Sequence, residues 1–199
     1  MLTLIHNPQS RSSRLIWLLE ELGLPFDIRY VSIPRMDGTG TPDSNNPHPD
    51  KKVPALLDGD RLITESAAIC LYLTDMAPEA GIGPKAGDPL RGDYLTWLFY
   101  YAGVVEPVMT AQFGGFADQP AFIRTFRGRA EMDARMVKAL EQHKFLVGPN
   151  FTSVDILFAS MGMWAREMLP AGALVDSYIA TCLARPALAR ANQKDAKPA

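Results

Sequence analysis

The chain has 199 residues, of which 47% are hydrophobic and 21% charged, and its formal net charge is −2 at pH 7. This length can bury the core of one large domain or two small ones, and the small net charge gives no reason to expect a nucleic-acid-binding surface. The first residues carry no basic leader, and no apolar run approaches the ~20 residues that span a bilayer. We therefore expect a cytoplasmic protein that binds neither nucleic acid nor membrane.

The chain begins with a predicted β-α-β unit. Residues 2–6 form the first predicted strand, and a helix is predicted from Ser12 or Ser13 to Gly23, because leucines recur at helical spacing between them. Alternating apolar residues at 26–33 predict the second strand.

A β-β-α unit is predicted next, after an irregular loop at 34–52 that is rich in Pro, Gly, Asp and Asn. Short strands at 53–57 and 61–63 flank an Asp-Gly pair, which is a strong hairpin signal. A helix is then predicted with Thr64 as its N-cap.

These patterns divide the chain into an α/β domain at 1–77, a linker at 78–88 and an all-helical domain at 89–199. The linker is predicted from its Pro and Gly content, and the helical domain from its apolar periodicity. Thr152 and Asp155 have the spacing of a helix-capping box. The polar residues that close the chain are expected to fray, namely Lys194, Asp195, Lys197 and Pro198.

The cysteines and histidines do not form a recognisable site. Cys70 and Cys182 lie far apart in apolar helical patterns, so we expect two core residues and neither a disulfide nor a C-x-x-C redox pair. His6, His48 and His143 lack metal-ligand spacing, and we expect them in loops or on the surface.

Two short motifs predict a ligand. Proline has no amide donor, so Val53-Pro54 is unsuited to a central strand position, and the Val53 backbone can pair with an extended peptide. Glu65 and Ser66 begin a predicted helix, where free amides and the Ser66 hydroxyl suit a carboxylate and Glu65 suits an ammonium group. Together these residues can hold both ends of a small charged peptide such as glutathione.

The chain resembles cytosolic glutathione S-transferases, of the bacterial, serine-type, theta- or beta-like kind, over nearly its whole length. The resemblance is carried by Val-Pro-Ala-Leu at 53–56, Glu65-Ser66, Phe-Thr-Ser-Val-Asp-Ile at 151–156 and the first-helix segment at 17–25. It implies a thioredoxin-like α/β first domain, an all-α second domain, glutathione as cosubstrate without a further cofactor, and a homodimer.

The resemblance also implies a hydroxyl or thiol after the first strand that activates glutathione. Counted back from Arg14, Ser10 occupies the position of the catalytic serine in serine-type members, and Ser12 is the second candidate. The serine would donate a hydrogen bond to the glutathione thiolate. Lys52 best matches the cation that holds the glycine carboxylate, with Lys51 and His48 as alternatives.

By analogy with the family, aromatic residues of the helical domain are expected to line the pocket of the second substrate. The candidates are Tyr100, Tyr101, Phe113, Phe116 and Trp164. The predicted function is a glutathione transferase of detoxification, which attacks a small hydrophobic electrophile with the thiolate. The alternatives are a glutathione-dependent disulfide reductase or peroxidase, and a non-catalytic binding module of the same fold.

Overall fold

The computed structural model describes residues 1–196, which pack as two compact units. Residues 1–81 and 185–196 form the first unit, and residues 82–184 form the second. Within the described residues, no helix is long and apolar enough to cross a membrane.

The first unit contains a four-stranded sheet. Its strands are β1 (Leu2–His6), β2 (Phe26–Tyr30), β3 (Ala55–Asp58) and β4 (Arg61–Thr64), in the order β2-β1-β3-β4. The pair β1–β2 is parallel, and the pairs β1–β3 and β3–β4 are antiparallel. This sheet confirms the predicted β-α-β and β-β-α units, although β2 is shorter than predicted and β3 begins two residues later.

The helices of the described residues are α1 (Ser13–Leu22), α2 (Ser66–Met76), α3 (Arg91–Tyr100), α4 (Glu106–Gly114), α5 (Pro120–Phe126), α6 (Arg129–Gln142), α7 (Ser153–Trp164), α8 (Ala173–Leu183) and α9 (Pro186–Asp195). Helix α1 buries six apolar residues and ends at Gly23, which has φ of 64° as the αL cap requires. The predicted fold class, a thioredoxin-like α/β unit followed by helices, is confirmed.

The second unit, which contains α3 to α8, is helical as predicted. A five-residue π-helical segment joins α3 to α4 at Tyr101–Val105. The predicted capping box starts α7, with the Thr152 amide 2.8 Å from Oδ2 of Asp155. The two cysteines, Cys70 in the first unit and Cys182 in the second, are buried as expected.

Helix α9 packs against α1 in the first unit, whereas residues 89–199 were all predicted to belong to the helical domain. The reason is a set of partners on α1, including a two-bond pair between Arg185 and Glu21 at 2.6 and 2.7 Å. Lys194 and Asp195, which were expected to fray, belong to α9. Lys197 and Pro198 lie outside the described residues.

Candidate functional site

Three segments of the first unit meet at one edge of the sheet. The strand register pairs Ile5 with Ala55 and Ala55 with Thr64. The turn after β1, the Val53-Pro54 pair before β3 and the Glu65-Ser66 pair after β4 therefore lie side by side. Both α1 and α2 begin at this edge, so the positive ends of two helix dipoles lie here.

The turn after β1 holds the two candidate serines in different environments. Ser10 is partly exposed, and its hydroxyl oxygen lies 2.7 Å from both the Asn7 carbonyl oxygen and Ser12 Oγ. Ser12 is 0% exposed and precedes α1 as its N-cap residue, but its hydroxyl bonds His6 and does not cap the helix. Of these two serines, Ser10 is the one whose side chain is exposed enough for a ligand to contact.

His6 is a core residue, which corrects the expectation of a surface or loop histidine. Its side chain is 0% exposed at the end of β1, and Nδ1 lies 2.7 Å from Ser12 Oγ. Nε2 lies 2.9 Å from the Asp195 backbone oxygen. Burial lowers the His6 pKa, whereas the carbonyl and carboxylate of Asp195 act in the opposite direction. Sequence pattern could not reveal this residue, because its partner on α9 is 189 positions away.

The peptide bond between Val53 and Pro54 is cis. The Val53 side chain is 9% exposed and packs in a core cluster with Ile5, Val31 and Ala55. This packing fixes the backbone of Val53 immediately ahead of β3.

Glu65 is the N-cap residue of α2, and the helix starts at Ser66. The predicted N-cap, Thr64, is instead the last residue of β4, because it pairs with Ala55 in the sheet. Glu65 is exposed and has φ of 69°, a strained conformation for a side-chain-bearing residue. The fold around it thus fixes the backbone that carries the Glu65 and Ser66 side chains at the helix start.

The three candidate cations before Val53 also differ in exposure. His48 is 6% exposed, and its Nδ1 accepts a hydrogen bond from the Asp50 amide at 3.0 Å. The Lys51 ammonium donates to the Asn46 carbonyl at 2.6 Å. Lys52 is exposed, so of the three it is the cation best presented to a ligand.

Arg35 is a second residue that sequence reasoning missed. Its guanidinium donates to the Asn7 side-chain oxygen and, at 2.5 Å, to the Pro8 carbonyl. A positive charge therefore lies against the turn that carries Ser10. The loop at 34–52 carried no pattern that could have indicated this contact.

The predicted aromatic pocket residues are distributed unevenly in the second unit. Tyr101 is 2% exposed and packs against Phe158 with ring centres 5.1 Å apart, so it is a core residue. Tyr100 is covered by the Arg135 guanidinium, 3.9 Å from its ring centre. The exposed members of the set are Phe113, Phe116 and Trp164.

Comparison with known proteins identifies relatives of one family. The family described as "Glutathione S-transferase, N-terminal domain" matches residues 10–76. Glutathione S-transferase GstA of Escherichia coli O157:H7 is 29% identical over 74% of each chain. Glutathione S-transferase 3 of Schizosaccharomyces pombe is 38% identical over 73 residues, which are 37% of this chain and 29% of that protein.

The fold agrees over most of the chain. A sphingomonad glutathione S-transferase, solved in complex with glutathione, superposes with a TM-score of 0.77 at 25% identity, covering 97% of this chain and 98% of that chain. These relatives confirm the resemblance to cytosolic glutathione S-transferases that was inferred from the sequence.

Proposed function

We propose that this protein is a glutathione transferase that binds glutathione at the sheet edge of the first unit and attacks an electrophile with its thiolate. The predicted enzyme class is supported by relatives named glutathione S-transferase and by the fold shared with a glutathione complex. The observation that carries the assignment is the strand register, which brings the Ser10 turn, Val53-Pro54 and Glu65-Ser66 to one edge.

The dimensions of this edge suit an extended tripeptide. The loop after β1 and the start of α2 are separated by two strand spacings, because β3 lies between β1 and β4. Two spacings amount to ~10 Å, and three extended residues span about the same distance. A glutathione molecule can therefore reach from the Ser10 turn to the start of α2.

Each end of glutathione has a partner of opposite charge. The exposed Glu65 carboxylate suits the ammonium group, and the Ser66 hydroxyl with the first amides of α2 suits the γ-glutamyl carboxylate. The exposed Lys52 suits the glycine carboxylate. Val53, fixed by its side chain, offers backbone groups to the central cysteine by strand addition.

The Ser10 hydroxyl acts as a donor to the thiolate. A free thiol has a pKa of ~8.5, and each unit of depression requires about 1.4 kcal/mol. A hydrogen bond to a charged acceptor contributes roughly 1.5–3 kcal/mol, and a helix N-terminus about 0.3–1 kcal/mol. These contributions lower the thiol pKa by roughly one to three units, so thiolate forms near neutral pH. The Arg35 charge against the same turn acts in the same direction.

The electrophile, the cofactor requirement, the compartment and the oligomeric state are proposed by analogy with the family. The electrophile is a small hydrophobic molecule, with Phe113, Phe116 and Trp164 as candidate contacts because their rings are exposed. Glutathione supplies the nucleophile, so no further cofactor is required. The protein acts in the cytoplasm as a homodimer and in detoxification.

Calorimetric titration with glutathione, followed by thiolate absorbance across pH, tests the proposal. Ser66→Ala should weaken glutathione binding about tenfold, because one charge-assisted hydrogen bond is lost. Ser10→Ala should leave binding nearly unchanged and raise the pKa of the bound thiol by about one to two units.

Ser177→Ala removes an exposed serine of α8 and serves as the matched control, with no expected effect on either quantity. Binding without thiolate formation in the wild type would favour the non-catalytic module. Absence of binding at millimolar glutathione would refute the transferase. A thiol pKa that Ser10→Ala does not change would remove Ser10 from the catalytic role.

A further inference from the structure

A chain of hydrogen bonds leads from the Ser10 hydroxyl to the end of α9. The hydroxyl oxygens of Ser10 and Ser12 lie 2.7 Å apart, and Ser12 Oγ lies 2.7 Å from Nδ1 of His6. Nε2 of His6 lies 2.9 Å from the backbone oxygen of Asp195. These distances are within the usual range of hydrogen bonds, and Ser12 and His6 are both 0% exposed. Bulk water is therefore excluded from the middle of this series of hydrogen bonds.

The partners of the His6 ring determine its tautomer. A backbone carbonyl can only accept, so Nε2 carries the proton that is donated to the Asp195 oxygen. In the neutral ring Nδ1 is then an acceptor, and the Ser12 hydroxyl donates to it. The basic lone pair of the imidazole thus faces the two serines. Burial lowers the His6 pKa, which favours the neutral ring in the unliganded protein.

On the opposite side of the His6 ring lies a carboxylate that can stabilise a positive charge on the imidazole. Oδ1 of Asp195 lies 3.5 Å from Nε2. Among the described residues this buried oxygen has no hydrogen-bond partner. Among the described residues, Tyr30 of β2 is a second titratable group against the ring, with its ring centre 5.5 Å away. Burial, followed by the charge of Asp195, raises the Tyr30 pKa, so the phenol stays neutral while Asp195 supplies the negative charge.

We propose that His6 accepts, through Ser12 and Ser10, the proton that leaves the glutathione thiol. The order of groups is hydroxyl, imidazole and carboxylate, as in a Ser-His-Asp triad, with a second hydroxyl inserted. His6 acts through the serines, so it is a positioning residue in this reaction. The inference rests on the proposed binding of glutathione beside Ser10.

The proton transfer balances without a co-reactant. The Ser10 hydroxyl, which donates to the Asn7 carbonyl oxygen in the unliganded protein, first turns its proton toward Ser12 Oγ. The S–H bond of glutathione then breaks, and Ser10 Oγ takes that proton while its own proton passes to Ser12 Oγ. The Ser12 proton passes to Nδ1 of His6. The products are a thiolate that accepts a hydrogen bond from Ser10 and an imidazolium beside the Asp195 carboxylate. One negative and one positive charge have formed, and no proton has left the protein.

Calorimetry in two buffers of different ionisation enthalpy measures the protons released on binding near neutral pH. With wild-type protein we expect thiolate absorbance together with release of well under one proton, since His6 retains it. His6→Asn keeps a side-chain amide near Ser12 but has no basic nitrogen. This variant should release about one proton per thiolate formed, or show a raised thiol pKa.

Nitrogen NMR of the histidine rings in the wild-type protein gives a second readout that does not depend on the variant folding. Binding of glutathione should shift Nδ1 of His6 to the imidazolium position. S-methylglutathione has no thiol proton, so its binding should leave His6 neutral. The exposed His143 is an internal control that neither ligand should change.

Three outcomes separate the hypotheses. An imidazolium at His6 with glutathione but not with its S-methyl derivative supports the relay. Thiolate formation with His6 still neutral, and about one proton released to buffer, overturns the relay and leaves the proposed function intact. Absence of any glutathione binding overturns both.

Discussion

His6 in the first unit and Asp155 in the second are both buried ionisable side chains, and they are stabilised by different kinds of partner. In the second unit Asp155 is 0% exposed, and its carboxylate accepts from the Thr152 amide, the Leu146 amide and the Tyr178 hydroxyl. In the first unit the His6 ring lies between Ser12 and the end of α9. Most partners of Asp155 are near it in sequence, whereas His6 depends on a residue at the opposite end of the chain.

Desolvation shifts the pKa of a buried acid and the pKa of a buried base in opposite directions. Burial raises the pKa of Asp155 from 3.8 to about 6, although four donated hydrogen bonds oppose the shift. Burial lowers the pKa of His6. Both groups are therefore less readily charged than on the surface. We assign the acid a structural role and the base a role in the proposed chemistry.

The largest expected effect is on stability when the Asp155 carboxylate is removed. Asp155→Ala leaves the Tyr178 hydroxyl and two backbone amides without their acceptor in the core. We expect a loss of about 3–5 kcal/mol in the free energy of unfolding, measured by urea denaturation.

Asp176→Ala is the matched control for this measurement. Asp176 also accepts hydrogen bonds, from Arg166, but its side chain is 60% exposed. Its loss should cost about 1 kcal/mol or less. Equal losses in the two variants would contradict the distinction between the buried and the exposed carboxylate.

The pH dependence of stability should have opposite sign for the two buried groups. The folded-state pKa of Asp155 is raised, so its contribution is fully present below 3.8 and is lost as pH rises through about 6. Wild type should thus lose up to ~3 kcal/mol relative to Asp155→Asn over that range.

For His6 the folded-state pKa is lowered from 6.5, so its contribution is present above that value and is lost as pH falls through the lowered value. Wild type should therefore lose stability relative to His6→Asn on acidification. Urea denaturation at a series of pH values measures both differences in stability. If the two differences changed with pH in the same direction, the predicted contrast between Asp155 and His6 would be wrong.

A smaller loss in the free energy of unfolding is expected when the ion pair between α1 and the start of α9 is weakened. The Glu21 carboxylate, 7% exposed, binds Arg185 through both oxygens and accepts from the Trp17 indole at 2.9 Å. Glu21→Gln keeps the shape but loses the charge, so we expect a loss of about 1–2 kcal/mol. The exposed Glu79 provides the control, and an equal effect of Glu79→Gln would show that the pair does not stabilise the fold.

Local patterns predicted much of the fold. Apolar periodicity and Gly23 predicted α1, and the Asp-Gly pair predicted the turn between β3 and β4, where Gly59 has φ of 58°. The capping box of Thr152 and Asp155 was predicted from spacing alone. These features are set by residues within a few positions of each other, so a linear pattern contains the required information.

The errors concern partners that are distant in sequence. Thr64 was predicted as a helix cap, but strand pairing with Ala55 extends β4 and shifts the helix start to Ser66. His6 was expected in a loop or on the surface because the histidines lack metal-ligand spacing, but it is buried. Residues 185–196 were expected in the helical domain because the packing of α9 on α1 leaves no local signal.

The sequence by itself indicated the resemblance to the family, the order of strands and helices in the first unit, and the candidate residues Ser10, Val53, Glu65 and Ser66, because each rests on residue type and local spacing. Only the tertiary structure decided which candidate serine is exposed, and that the hydroxyl of the other bonds a buried imidazole. Those properties arise from strand register and from the packing of α9 on α1, which join residues far apart in the chain.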